Sequence, residues 1–330
     1  MLIDPVLMRE IDEKMALVES DRSLNLDRII RKALEQDSLI SSGLLEAGST
    51  RREKREKKRE FAESTARLSD ACRFAVGNYR GQITEDLILG IVSRINSEVT
   101  GYRNSTVRVT GPDAVLPPQP EKIKPQIETL LEHTNDVTLH TLERAGLSHL
   151  HLVRIHPFTD GNGRTARLLQ NLVLKYEEYP PAIIPCEERI VYQHILRSAL
   201  EGYRDREAHG EFLDAWSKPL QISKAEQAFF NYIGSKVNIA LESQITAIDR
   251  LPRFTVRLRQ DGHATPGYTF TAKKVIANYF RAEGRLGQAR VDIHRDPGTI
   301  KVIGDISEGV IKSILDHRGY KGKYDIERQK

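Results

Sequence analysis

The stretch HPFTDGNGRTAR, residues 156–167, places a histidine, an acid, two glycines, an asparagine and two arginines within a dozen positions. His156 is the residue whose ordinary pKa suits taking a proton from an alcohol near neutral pH. Gly161 and Gly163 permit backbone angles closed to other residues, so consecutive amide N–H groups can turn inward around an anion, and Asn162 adds a neutral side-chain donor. Leu168, Leu169, Leu172 and Val173 follow at helical spacing and predict a helix from about Gly163 to Tyr176. The loop therefore runs into a helix N-terminus, where unpaired N–H groups favour phosphate. Arg164 and Arg167, three apart, face one way on that helix and offer forked donors to phosphoryl oxygens. Asp160 is out of place beside a polyphosphate unless a cation stands between them, and Mg2+, which prefers one or two carboxylates with phosphate oxygens, suits that position. Phe158 has no such chemistry and is expected to plug the loop into the core.

The elements that must hold this loop are mostly helical. Residues 5 to about 74 carry apolar side chains at three and four (Leu24, Ile29, Ile30, Ala33, Leu34) with no strand-like alternation. Between Asn96 and Pro125 the texture changes: TVRVTG reads as a short β element, and GPDAVLPPQPEKIKP is too proline-rich to continue a helix. Helices are expected over about 127–133 and 137–155, the latter ending at His156. After the loop and its helix, YPPAIIP stops the chain, and two more helices run through RIVYQHILRSALEGY and GEFLDAWSKPL. A long helix follows to about Ile248. TFTAKKVIANYF then reads as a helix, ARVDIHRDPGTIKVIG as a hairpin around Asp296-Pro297-Gly298, and ISEGVIKSILDHRGY as a last helix. The fold class is mainly α, with a small C-terminal α+β appendage.

Composition bounds the class. The 330 residues are 39% hydrophobic and 29% charged, which describes a globular chain. Cys72 and Cys186 lie far apart and outside any metal-ligand spacing, so a reducing, cytoplasmic setting is expected. The start, MLIDPVLMREIDEKM, lacks the basic and apolar regions of a signal peptide, and no run approaches a membrane span. With 50 basic and 46 acidic side chains, nucleic acid is not expected as a partner on charge, although the C-terminal region is left open. The charged run TRREKREKKREF reads as a solvated helix face supported by pairs such as Glu53 with Lys57.

HPFTDGNGRTAR resembles the signature of the Fic family, H-x-F-x-D/E-G-N-G-R-x-x-R. HLHLVRIHPF is similar to the family's helix leading into the signature, YPPAII to the segment after it, and GYRNSTVRVTGPDAVLPPQPEKI to its flap hairpin. The resemblance implies a Fic-type helical bundle with a short β-hairpin flap over residues 80–219. Helices at 1–79 would precede it, and a helical extension with a small α+β domain at 220–330 would follow. It implies a magnesium-dependent transfer of AMP from ATP to a Ser, Thr or Tyr hydroxyl of a target protein, or of the chain itself. By resemblance His156 is the general base, Asp160 the magnesium ligand, and Gly161, Asn162 and Gly163 the cradle of the α- and β-phosphates. Arg164 would grip the leaving pyrophosphate and Arg167 the γ-phosphate. Tyr192 would line the adenine pocket, although Gln193 stands where a second tyrosine is common. Val107 and Val109 would pair with the target peptide by strand addition.

SSGLLEAG (residues 41–48) resembles the family's inhibitory motif S/T-x-x-x-E-G/N, with Ser42 and Glu46 in place and Ala47 a departure. Glu46 would then pair with Arg167 and deny the γ-phosphate its position. Two alternatives stand beside this reading: removal of AMP at the same site, with Glu46 positioning water, and a nucleotide-binding regulatory module. A homo-oligomer is left open.

Overall fold

The computed structural model describes residues 2–20, 58–107, 116–206, 222–259, 266–282, 289–293, 298–304 and 306–329. They fall into two compact units, one drawn from 1–13 and 34–240, the other from 14–33 and 241–330. Ser42, Glu46 and Val109, together with the rest of the TVRVTG element after Val107, lie outside the described residues.

The first unit is helical: α1 (Pro5–Ser20, continuing into the other unit), α2 (Lys58–Asn78), α3 (Glu85–Ile95), α4 (Ile123–Thr134), α5 (Thr141–Ile155), α6 (Asn162–Tyr176), α7 (Arg189–Arg206) and the first part of α8 (Lys224–Asp249). Its axis is α5, in which every residue from Leu142 to Ile155 is buried. A helix enclosed on all sides must find partners for its own polar side chains. Arg144 donates from Nε to the Thr134 carbonyl at 3.0 Å, Ser148 to Ala145 O at 2.8 Å, and Arg154 to His151 Nδ1 and Gln126 Oε1 at 3.1 and 3.0 Å. His149 is held by Gln170 Oε1 at 2.6 Å and Tyr192 Oη at 2.9 Å.

Helix boundaries follow local chemistry. The segment before α5 is a turn rather than the expected start of a helix at Val137, because Asp136 bonds to the Thr138 amide (2.9 Å) and hydroxyl (2.7 Å) and His140 Nδ1 caps Leu142 N. α4 starts earlier than expected and takes Pro125 into its first turn, where a missing N–H costs nothing. Thr84 caps α3 by accepting from Leu87 N at 3.2 Å.

The second unit carries a four-stranded antiparallel sheet, β1 (Arg253–Leu258), β2 (Ala289–Ile293), β3 (Thr299–Gly304) and β4 (Tyr324–Gln329), in the order β2-β3-β1-β4. The predicted hairpin is β2–β3, pairing Val291 with Val302. β1 pairs Val256 with Ile300 on one side and Ile326 on the other. Helices α9 (Pro266–Ala282) and α10 (Glu308–Leu315) complete a core with Phe254, Val256, Ile300, Val302, Ile276, Ile311 and Leu315. No helix among the described residues is long and apolar enough to cross a membrane.

One close approach is testable. A Cβ on Gly146, in α5, would sit 2.5 Å from the ring of fully buried Phe230 in α8. Gly146→Ala is expected to destabilise the chain by about 1–3 kcal/mol through overpacking, read as a lowered denaturation midpoint.

Candidate active site

The site forms where α5 stops and α6 begins. Pro157 cannot continue α5, and His156 turns the chain with φ 48° and ψ 56°, a left-handed conformation uncommon for a non-glycine residue. Its side chain is half-buried at the mouth of the loop. Phe158 is fully buried and stacks on Tyr102 at 5.7 Å between ring centres, which is the anchoring expected of it.

Gly161 is the N-cap of α6 and has φ 82°. A Cβ there would lie 3.3 Å from methyls of both Val92 and Ile95, so this position needs glycine for its angle and tolerates little added bulk. Gly163 departs from the sequence reading: it lies in the first turn of α6 and is not among the glycines with positive φ. No side chain at Gly161 caps the helix. The first-turn amides of α6 are therefore not covered by their own N-cap, the condition under which a helix start binds anions.

Asn162 also differs from expectation. Its Oδ1 accepts from Phe158 N at 3.0 Å and its Nδ2 donates to Phe158 O at 2.9 Å, while the residue is 2% exposed. The side chain closes the loop instead of projecting outward as a phosphate donor. Arg164 does project toward the loop, donating to Asp160 Oδ2 at 2.8 Å. The same carboxylate oxygen accepts from Asn96 at the end of α3, at 3.0 Å. Burial pushes the Asp160 pKa up, but Arg164, the Gly161 amide and Asn96 outweigh it and hold the carboxyl below its ordinary range. An ionised, half-exposed carboxylate beside a helix N-terminus is a donor suited to Mg2+ when phosphate oxygens and water complete the shell. Among the described residues no cluster of three His, Cys, Asp or Glu could hold a metal by itself.

Arg167 is buried at 6% exposure, one turn beyond Arg164. Its charge acts on His149, whose imidazole burial holds down at about 3, so that ring is neutral and engages Gln170 and Tyr192 at its two nitrogens. Tyr192 is accordingly 4% exposed and bonded through its hydroxyl, with its ring stacked on Tyr232. Val107 is described without regular structure. The structure thus brings His156, Asp160, Gly161, Asn162, Gly163, Arg164 and Arg167 onto one loop and helix, with Tyr192 reaching α6 through His149 and Gln170. Sequence reasoning missed Asn96, Arg103 and His149 as supports. Only GYRNS, which contains Arg103, and HLHLVRIHPF, which contains His149, carried any signal for them.

The sequence pattern of the Fic/DOC family matches residues 82–174, from just before α3 to the end of α6. Residues 82–174 are similar to a Fic domain. The chain is 42% identical over 118 residues to the protein adenylyltransferase Fic of Drosophila melanogaster, an alignment covering 35% of this chain and 23% of the fly protein. It is 44% identical over 86 residues to protein adenylyltransferase fic-1 of Caenorhabditis elegans, covering 25% of this chain and 17% of that one. The matched region is thus under a quarter of these relatives' length. Two solved structures share the fold: a Fic domain containing signaling protein from Bacteroides thetaiotaomicron (TM-score 0.56, 21% identity, 72% of this chain and 97% of that chain) and a Fic family protein from Desulfovibrio desulfuricans (TM-score 0.55, 16% identity, 92% and 96%).

Two measurements check the geometry of the Fic loop. Asp160 is expected to titrate below the ordinary carboxylate value of about 4, and Arg164→Met to raise that midpoint, followed by carboxyl carbon NMR. Because the folded pKa is the lower one, the Asp160–Arg164 contact stabilises the chain above the unfolded pKa and is lost as pH falls through the folded midpoint. Gly161→Ala is expected to cost about 1–2 kcal/mol of stability from the left-handed angle alone, read by thermal denaturation.

Proposed function

We propose that the chain is a protein adenylyltransferase, transferring AMP from ATP to a hydroxyl side chain of a target protein and of itself. The observation that carries this reading is the junction of α5 and α6: a histidine at the end of one helix is joined by a short loop to a helix N-terminus flanked by an ionised carboxylate and two arginines. The names of the curated relatives support it.

In this reading the His156 imidazole takes the proton of the incoming hydroxyl as its oxygen attacks the α-phosphorus. The bond from that phosphorus to the bridging oxygen breaks, pyrophosphate leaves, and His156 returns its proton to solvent. Nothing covalent is asked of the protein, so rate comes from positioning and charge neutralisation. The amides of Gly161, Asn162 and Gly163 hold the α- and β-phosphates, with the Asn162 side chain keeping the loop in shape. Arg164 leaves Asp160 to meet the pyrophosphate, and Arg167 takes the γ-phosphate. Mg2+ held by Asp160 would neutralise charge on the phosphate chain. Tyr192 supports the base pocket through α7. Val107 and Val109 align the target peptide.

Ser42 and Glu46 form the inhibitory motif, with Glu46 competing for Arg167. Cys72 and Cys186 lie far apart in the sequence and outside any metal-ligand spacing, which accords with a reducing cytoplasm.

The test is incubation of wild type, Glu46→Gly and His156→Ala with α-labelled ATP, magnesium and a cell lysate. Label on protein is expected to rise in Glu46→Gly by about tenfold or more, in line with removal of one competing ion pair, and to vanish in His156→Ala or with a magnesium chelator. Unlabelled protein in every variant, with nucleotide still bound, would overturn the transferase reading in favour of AMP removal or a regulatory role.

A further inference from the structure

Arg103 is a cation 4% exposed that makes no ion pair among the described residues. A buried guanidinium needs its donors satisfied, and here every recorded partner is a backbone carbonyl. Nε donates to His156 O at 2.8 Å, Nη1 to Ser105 O at 2.8 Å, and Nη2 to Pro118 O at 2.6 Å and Ile155 O at 3.4 Å. The Arg103 amide donates to Pro157 O at 2.9 Å. One residue therefore engages three consecutive carbonyls, 155 to 157, at the point where α5 ends.

That point is short of donors. The last carbonyls of a helix have no partner within it, Pro157 brings no N–H, and His156 is held in a left-handed conformation that is unfavourable unless its surroundings enforce it. A cation at the negative end of the α5 dipole is favoured there, and a planar fork reaches several carbonyls that an ammonium cannot reach together. The neighbouring Tyr102 presses its ring on Phe158, whose amide Asn162 holds from the other side. Residues 102 and 103 thus grip the chain from 155 to 158 opposite the α6 start. The same guanidinium joins Ser105 to Pro118.

We infer that Arg103 is a positioning residue for the transfer reaction, fixing the backbone of His156 so that its imidazole meets the incoming hydroxyl, and tying that backbone to Ser105 and Pro118. This rests on the transferase reading above. Displacement of a general base by about 1 Å can cost on the order of a hundredfold in rate while leaving substrate binding intact.

The experiment uses the full chain in the Glu46→Gly background, with Arg103→Met and Arg103→Lys. Single-turnover self-labelling with α-labelled ATP, ATP affinity by calorimetry, and amide hydrogen exchange are measured on each. Arg103→Met is expected to lower the transfer rate about a hundredfold with ATP affinity changed less than threefold, and Arg103→Lys to recover part of the loss. Exchange in peptides covering 156–162 is expected to quicken, while the body of α6 keeps its protection. Unchanged transfer and exchange, or a loss of transfer that only follows a loss of ATP binding, would overturn the inference. Should the parent fail to label protein, the transferase reading falls, and exchange decides whether Arg103 holds the His156 backbone: faster exchange keeps that role and unchanged exchange removes it. If Arg103→Met does not fold, Arg103→Lys is judged by the same measurements.

Discussion

A helix buried on every side determines the rest of this domain. α5 has no solvent face, so its arginines and histidines must be met by α4, α6, α7 and the carbonyls of adjoining loops. Its C-terminal carbonyls and the N-terminal amides of α6 are separated by a short loop closed by Phe158 and Asn162. A helix end carrying partial negative charge and one carrying partial positive charge are thereby brought close together. The first is covered by Arg103, a permanent cation inside the protein. The second has no side-chain cap from its own glycine, which leaves it available to an outside anion.

The ion pair between Asp160 and Arg164 shows how such a site can be ordered without being closed. Arg164 is 11% exposed along its side chain and Asp160 52%, so water screens one end of the contact. A pair of that kind holds both groups in place at modest strength. In the proposed transfer an arriving phosphate takes the arginine, and the carboxylate keeps its bond from Asn96. In that proposal the carboxylate faces phosphate with its charge intact, the arrangement a divalent cation would answer.

The loop was legible in sequence because its requirements are local: a left-handed turn at Gly161, an apolar anchor at Phe158 and a helix carrying two arginines three apart. Its supports were less legible. Asn96 and Arg103 lie 64 and 53 positions before Asp160 and His156, and although GYRNS around Arg103 resembles part of the family's flap, nothing in the sequence joins either residue to the loop. At Asn162 and Gly163 the structure differs from the sequence reading, since sequence shows which residue types are present and cannot show which of their atoms are already used or which backbone angles they take. In the second unit the β2–β3 hairpin announced itself through Gly298 and two alternating runs, whereas β1 passed unseen even though Phe254, Val256 and Leu258 alternate within RFTVRL. β4 shows only Tyr324 and Ile326 on its inward face, the rest being charged or polar, so its pattern gains meaning only once β1 stands beside it.

His149 and His156 lie on the same helix, two turns apart, and their environments divide the chemistry between them. His149 is sealed, neutral and bonded at both ring nitrogens, with Arg167 adding to the burial that keeps a proton off it. Were it charged, a buried cation would sit next to Arg167 and loosen the α6 start that holds the site. His156 is half-buried, and its place is set through its backbone by a residue from outside the helix. A neutral imidazole in the interior and a half-buried one at the edge of the site follow from one helix running between them. The half-buried histidine is the one at which the helix has to stop.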